Sequence, residues 1–329
     1  MRIHSVIGLL VFAMMTACME NKAVESAKQT FDIVILNGRV IDPESNLDAV
    51  RNVGVLDGKI ALITERPIMG KDTVDATGHV VAPGFIDLHA HGQNLGDYRM
   101  QVMQGVTTML ELESGVLPID AWYDAQAQKN LPVNYGASAA WTFARIATFS
   151  DTEPQATPAY FQDAQKETDW KMKIASPQQM DEILDYVRQG LDQGGLGIGI
   201  NAGYAPGYGA KEYYALAELA ADYGVATFTH VRYASNLEPQ GSFEAIQELI
   251  ANAAITGAHM HICHLNSSSL KDIASTLELV EAAKARGINI TVGAYPWGAA
   301  STVVGAAMFS GEGWRERMGS TTHNFQLGV

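Results

Sequence analysis

The chain reads as an α/β protein: a (β/α)8 barrel of the TIM type, incomplete here, with a small N-terminal β-sandwich module in front of it. Three observations predict this. Before Ala82, short β-rich runs are separated by Asn-Gly and Asp-Gly pairs; after Pro83-Gly84, seven apolar strand-like runs alternate with helical patterns; and four histidines stand at the C-terminal ends of three of those runs. The 329 residues are 47% hydrophobic and 18% charged, enough apolar material for a large core, which excludes intrinsic disorder. A net charge of -14 and the lack of any basic run argue against nucleic acid as a partner. Two cysteines cannot build a disulfide framework.

Residues 1–18 have the pattern of an export signal. Met-Arg-Ile-His is followed by the apolar run Val6 to Met15 and then by Thr16-Ala17-Cys18. The apolar run is too short to span a bilayer. Small residues before a cysteine, with the polar Glu20-Asn21-Lys22 after it, resemble a bacterial lipobox in which Cys18 is lipidated; a plain secretory signal is the other reading. Either predicts an exported protein, and the first predicts a periplasmic or outer-membrane lipoprotein held to the membrane through Cys18.

Residues 31–82 form the β module. Asp32 to Leu36, Arg39 to Ile41, Val53 to Val55 and Lys59 to Ile63 are expected strands, with turns at Asn37-Gly38 and Asp57-Gly58 and a break at Asp42-Pro43. So few strands need a further partner element to close a core.

Residues 83–329 carry the barrel. Its expected strands are Phe85 to His89, Thr107 to Glu113, Val133 to Ala139, Gly197 to Asn201, Ala226 to His230, His259 to His264 and Asn289 to Tyr295. Ser176-Pro177-Gln178-Gln179 is a capping box opening a helix whose face is Leu184, Val187 and Leu191. Glu212 to Tyr223, Phe243 to Ala254 and Leu270 to Arg286 are helices running into Gly224, Gly257 and Gly287. The stretch from Ala140 to Ala175 reads as a polar insertion beside the third strand, placed to act as a lid. A helix is expected around Trp314 to Met318, and no eighth strand follows before Val329.

His89 and His91 form a His-x-His pair, and residues i and i+2 of an extended chain point to one side, so both imidazoles can face one metal. His230 and His264 close two other strands, which converges all four on the face where such barrels keep their chemistry. Glu111 and Glu113 lie on one face of the second strand, where a carboxylate is costly unless paired or bound to a cation. Glu113, nearest the strand end, is the choice for a bridge between two ions; pairing of both with Arg or Lys is the alternative. His4, His79 and His323 carry no assignment, and His259 and His261 are expected in packing or outer support. Cys263 is expected to point away from His264 as a small buried hydrophobe.

Pro83-Gly84-Phe85-Ile86-Asp87-Leu88-His89-Ala90-His91 resembles the first-strand motif of the amidohydrolase superfamily of metallo-hydrolase barrels, and Gln104-Gly105-Val106-Thr107-Thr108 resembles its second. Gly195 to Gly199 leading to Tyr204-Ala205-Pro206-Gly207, Tyr223-Gly224 leading to Thr229-His230-Val231-Arg232, and Ala294-Tyr295-Pro296-Trp297 resemble the D-aminoacylase branch. The resemblance covers about residues 31 to 310. It implies one or two zinc ions, with His89 and His91 at one position and His230 and His264 at the other. The branch's bridging Cys is replaced by Glu113-Ser114, so Glu113 bridges or nothing does. A Lys often found two residues after the sixth-strand His is Asn266 here, so recognition of the substrate carboxylate differs; Tyr295 and Arg232 are the further substrate-facing residues implied. The catalytic Asp that ends the family's eighth strand would lie beyond Val329, so no catalytic acid or base is assigned within the chain.

The resemblance implies hydrolysis of the amide of N-acyl-D-amino acids or short D-residue peptides. An amidohydrolase of other specificity (a cyclic amidase, a prolidase-like or an isoaspartyl peptidase) and a truncated, non-catalytic metal-binding lipoprotein are the alternatives.

Overall fold

The computed structural model describes residues 30–303, 306–309 and 312–325. Cys18 and the export signal lie outside the described residues. The chain divides into two compact units at Gly84 and Phe85.

The first unit is one mixed sheet of five strands. β1 (Thr30–Asp42) lies between β2 (Leu47–Leu56), antiparallel to it, and β4 (Met69–Asp75), parallel; β3 (Lys59–Thr64) extends the β2 edge and β5 (Val80–Val81) adds beside β1. Asp57 and Gly58 both have positive φ and turn β2 into β3, as a type I′ turn requires. Asn37-Gly38 corrects the expected turn: it lies within β1 as a bulge where the β1–β2 register shifts. The bulge is held from inside, because Asn37 N–H donates to Oδ1 of buried Asn52 at 2.9 Å. Phe31, Val34, Val40 and Val53 form the apolar face. The second layer of the expected sandwich is not among the described residues.

The second unit is a seven-stranded parallel sheet in strictly sequential order: β6 (Phe85–Asp87), β7 (Val106–Val116), β8 (Asn134–Ala140), β9 (Gly197–Asn201), β10 (Ala226–His230), β11 (His259–Ile262) and β12 (Ile290–Val292). Sequential parallel order with a crossover after each strand curls the sheet into part of a barrel. β6 and β11 end sooner than expected because the chain leaves the ladder just before His89 and His264, and β12 also stops short, at Val292.

The helices pack outside. Helix 177–192 opens on the capping box of Ser176 and Gln179 and buries Ile183, Val187 and Leu191. Helices 210–223 and 242–256 end at Gly224 and Gly257, both left-handed. Trp141, Ile198, Ile200, Leu216, Ile246, Met260 and Ile262 belong to the continuous core between sheet and helices.

The expected polar lid over residues 140–175 is a correction. Residues 141–150 form a helix buried along most of its length, including Trp141, Phe143 and Ile146. Its polar members fit this burial through pairing. Arg145, fully buried, binds Glu212 through Nη1 at 2.6 Å and the Trp170 carbonyl through Nε at 2.7 Å, while Trp141 Nε1 donates to Glu212 at 2.7 Å.

Candidate metal centre

Glu113 reaches the barrel interior because β7 leaves its partner near its end. The β7–β8 register breaks between Glu111 and Val116, and Gly115 takes φ +65°. Ser138 Oγ donates to the Leu112 carbonyl at 2.6 Å and Asn201 Nδ2 donates to Ser114 Oγ at 2.9 Å, which pins the departure from β8 and from the end of β9. Gly199 makes room for it: a Cβ there would stand 2.7 Å from the Glu113 and Leu112 carbonyl oxygens.

Four imidazoles meet the Glu113 carboxylate in two pairs. Oε2 lies 3.0 Å from Nε2 of His89 and 3.0 Å from Nε2 of His91. Oε1 lies 3.0 Å from Nδ1 of His230 and 2.7 Å from Nε2 of His264. Within the pairs, the two nitrogens are 2.9 Å apart for His89 and His91 and 3.0 Å apart for His230 and His264.

The outer nitrogens are held as well. His91 Nδ1 stands 2.9 Å from Glu111 Oε1, and His264 Nδ1 lies 3.0 Å from Ser268 Oγ and 3.1 Å from Ser267 Oγ. Such partners fix ring orientation and tautomer. His230 packs against Tyr204, with ring centroids 5.0 Å apart. Among the described residues neither Glu111 nor Glu113 has an Arg or Lys partner, so the pairing alternative for these buried acids does not hold.

Burial alone would raise the Glu113 pKa, but hydrogen bonds from the four imidazoles outweigh it and hold the carboxyl well below its usual range. Burial opposes charge on His91, and Glu111 and Glu113 reverse that, raising its pKa well above the usual 6.5. His261 goes the other way: burial and the nearby imidazoles of His259, His89 and His264 lower it to about 4. Its Nδ1 and the Nε2 of His259 share the Thr291 hydroxyl, at 2.9 and 2.8 Å.

Cys263 corrects the expectation that it points away. Its Sγ and donor atoms of His89 and Glu113 all lie within 4.8 Å of one another. The reason is local: His264 has φ +37° and ψ +53°, so strand alternation stops at Cys263 and both neighbours turn inward.

The three residues implied to face substrate have the following surroundings. Arg232 is turned away from the cluster; its Nη2 binds Glu248 at 2.6 Å and its guanidinium lies 3.5 Å from the Tyr208 ring centre. Asn266 Nδ2 donates to the Tyr295 carbonyl at 2.9 Å, tying the loop after β12 to the turn after β11. The Asn266 Oδ1 is buried without a partner, and the Tyr295 side chain is half-buried.

The donor set fits a zinc-like divalent cation. Imidazole nitrogen and carboxylate oxygen bind Zn²⁺ at about 2.0–2.2 Å, which places tetrahedral donors about 3.3 Å apart. The observed 2.7–3.0 Å separations need only a few tenths of an ångström of outward movement. Each Glu113 oxygen with its histidine pair supplies three donors to one position.

A sequence profile of the amidohydrolase family matches residues 72–328. D-aminoacylase of Alcaligenes xylosoxydans xylosoxydans is 26% identical over 302 residues, covering 85% of this chain and 60% of that protein. A dihydroorotase of Solibacter usitatus is 57% identical, over a stretch of 60 residues that is 18% of this chain and 14% of that protein. Among solved structures, N-acyl-D-glutamate deacylase of Bordetella bronchiseptica, complexed with zinc and a phosphonate inhibitor, superposes with a TM-score of 0.67 at 21% identity, covering 82% of this chain and 59% of that one. The chain thus spans about 60% of the length of the D-aminoacylase it matches.

Proposed function

This chain belongs to the amidohydrolase family, and we propose that the protein hydrolyses the amide of N-acyl-D-amino acids or short D-residue peptides, releasing a carboxylate and a free D-amino acid. One observation carries the reading: a single buried carboxylate, Glu113, presents one oxygen to each of two histidine pairs. The resemblance to D-aminoacylase over 85% of the chain supplies the substrate class.

His89, His91 and Glu113 would hold one zinc ion and His230, His264 and Glu113 a second. Zinc, when bound, lowers the pKa of water toward neutrality and polarises a carbonyl. Glu113 keeps its charge without an Arg or Lys, so its oxygens are free for cations. Glu111 and Ser268 orient the rings of His91 and His264. Asn266 sets the main chain at Tyr295, and because this chain has a neutral amide where the branch often carries a Lys, the substrate carboxylate would be met here without that charge. Arg232 belongs to the wall behind Tyr208. We assign proton transfer to no described residue. The resemblance of the stretch ending at Cys18 to a lipobox supports the reading of an exported, membrane-anchored protein with access to D-residues outside the cytoplasm.

A second reading, hydrolysis of a cyclic amide, draws on the 57% identity to dihydroorotase over 60 residues. The two separate in one assay. Intact protein from its native source, loaded with zinc, should release amine from N-acetyl-D-amino acids and leave the L-series and dihydroorotate unchanged. Preference for the L-series or for the cyclic amide would overturn the proposal.

A further inference from the structure

β11 sends two donors into the barrel where the histidine pattern accounts for one. Met260 and Ile262 face outward into the core beneath the helices, whereas Cys263 is buried with Leu112 and Phe228 on the inner side. At His264 the left-handed backbone then turns the imidazole to the same side. Cys263 Sγ thereby forms a three-donor group with His89 and Glu113, and Glu113 with His230 and His264 forms another. His91 Nε2 is 3.0 Å from the same Glu113 oxygen that faces His89.

We propose that Cys263 is a metal ligand, the fourth donor to the position held by His89, His91 and Glu113. The proposal rests on the metal-centre reading above. Zn²⁺ takes four donors in closed sites and keeps a position open where it binds water or substrate. With sulfur added, the His89 side has two nitrogens, one oxygen and one thiolate, a closed set. The His230 and His264 side has two nitrogens and one oxygen, which leaves the open position there. The two positions would therefore differ in kind, one holding the cluster together and the other facing substrate. Ligation breaks the Cys263 S–H bond, forms a metal–sulfur bond and releases the proton to solvent, with no change of oxidation state. The ion supplies the charge that an apolar neighbourhood of Leu112 and Phe228 does not.

The test uses the intact protein loaded with Co²⁺ or Zn²⁺. The proposal expects a sulfur-to-cobalt charge-transfer band in the near ultraviolet and, by X-ray absorption on the zinc form, a sulfur shell at about 2.3 Å beside nitrogen and oxygen at about 2.0–2.2 Å. In Cys263→Ser both signals disappear and one ion is held at least 10-fold more weakly. The wild-type absorption spectrum needs no variant, so a misfolded Cys263→Ser leaves the question decidable. If cobalt binds with nitrogen and oxygen donors only, and Cys263→Ser binds it equally well, the Cys263 ligand is overturned and the histidine centre stands. If no cobalt binds at all, the centre itself is wrong and the proposal falls with it.

Discussion

Glu113 Oε1 and His264 Nε2 lie 2.7 Å apart although 151 residues separate them in the chain. The contact closes because two strand ends break their own regularity. β7 bulges out of register from Glu111 to Val116, and His264 adopts a left-handed conformation that L-residues with a Cβ seldom take. The two irregularities share one carboxylate, which ties the conformation of the turn after β11 to the site.

Glu113 and Glu111 should be separable by metal affinity. Of the four histidines the Glu111 carboxylate meets His91 alone, at its outer nitrogen, so Glu111→Gln should weaken metal binding by roughly 10–100-fold, the usual effect of an outer partner. Glu113 faces both histidine pairs, so Glu113→Gln should exceed that range and remove more than one equivalent where two are bound. Competition against a fluorescent chelator, with metal counted by mass spectrometry, measures both. Equal losses in the two variants would contradict the bridging role.

Much of the barrel was legible from short-range chemistry. The capping box at Ser176 and the glycines after helices 210–223 and 242–256 are local signals, and the structure uses them as such. The strand-end histidines were legible because parallel strands all present their C-terminal ends on one face. What stayed hidden depended on long-range pairing. Arg145 helps the stretch from Ala140 to Ala175 read as a polar insertion, yet it is buried because Glu212, 67 positions away, neutralises it. Asn37-Gly38 has the composition of a hairpin turn, and only the side chain of Asn52 makes it a bulge. Alternation predicts that Cys263 points away from His264, a rule that stops at the left-handed backbone of His264.

Gly203→Ala should disturb His230 selectively. A Cβ at this position would stand 2.7 Å from His230 Cδ2, 2.9 Å from its Nε2 and 2.9 Å from the Val231 carbonyl oxygen, so the ring must leave its present place against Glu113. Crowding of this kind costs about 1–3 kcal/mol where the neighbours cannot relax. The expected result is weaker metal binding on the His230 and His264 side, with the His89 and His91 side unchanged. Cobalt titration of the variant, followed by absorption, distinguishes one altered position from a general loss.

The Arg145–Glu212 pair should be the most damaging one to break outside the centre. Both side chains are buried, and Glu212→Ala leaves the guanidinium charge with only carbonyl partners. Removing one member of a buried pair typically costs about 3–5 kcal/mol, a large fraction of the roughly 5–15 kcal/mol that hold a domain folded. A double replacement, Arg145→Met with Glu212→Leu, removes both charges and should recover most of the loss. Urea unfolding of the three proteins measures this, and a Glu212→Ala midpoint equal to wild type would refute it.

Acid should act on the metal-free protein through His261. Its folded pKa is lowered to about 4 by burial first and then by His259, His89 and His264, while the unfolded chain titrates near the usual 6.5. Between those values the unfolded state binds more protons, so stability rises with pH. The contribution is complete above about pH 6.5 and is lost as pH falls toward about 4, to a ceiling of about 3 kcal/mol. Protonation would place a buried charge beside the rings of His259, His89 and His264, and its burial is the main source of the penalty. His91 and Glu113 titrate too, and in opposite senses: the raised His91 pKa adds stability on the acid side, and the lowered Glu113 pKa adds it on the basic side. The comparison must therefore be made against a variant. His261→Asn keeps a polar group near Thr291 but cannot take up the proton, so its urea midpoint between about pH 7 and about pH 4.5 should fall less than that of wild type. Parallel pH profiles for the two proteins would mean that His261 is solvated enough to titrate normally in the folded state.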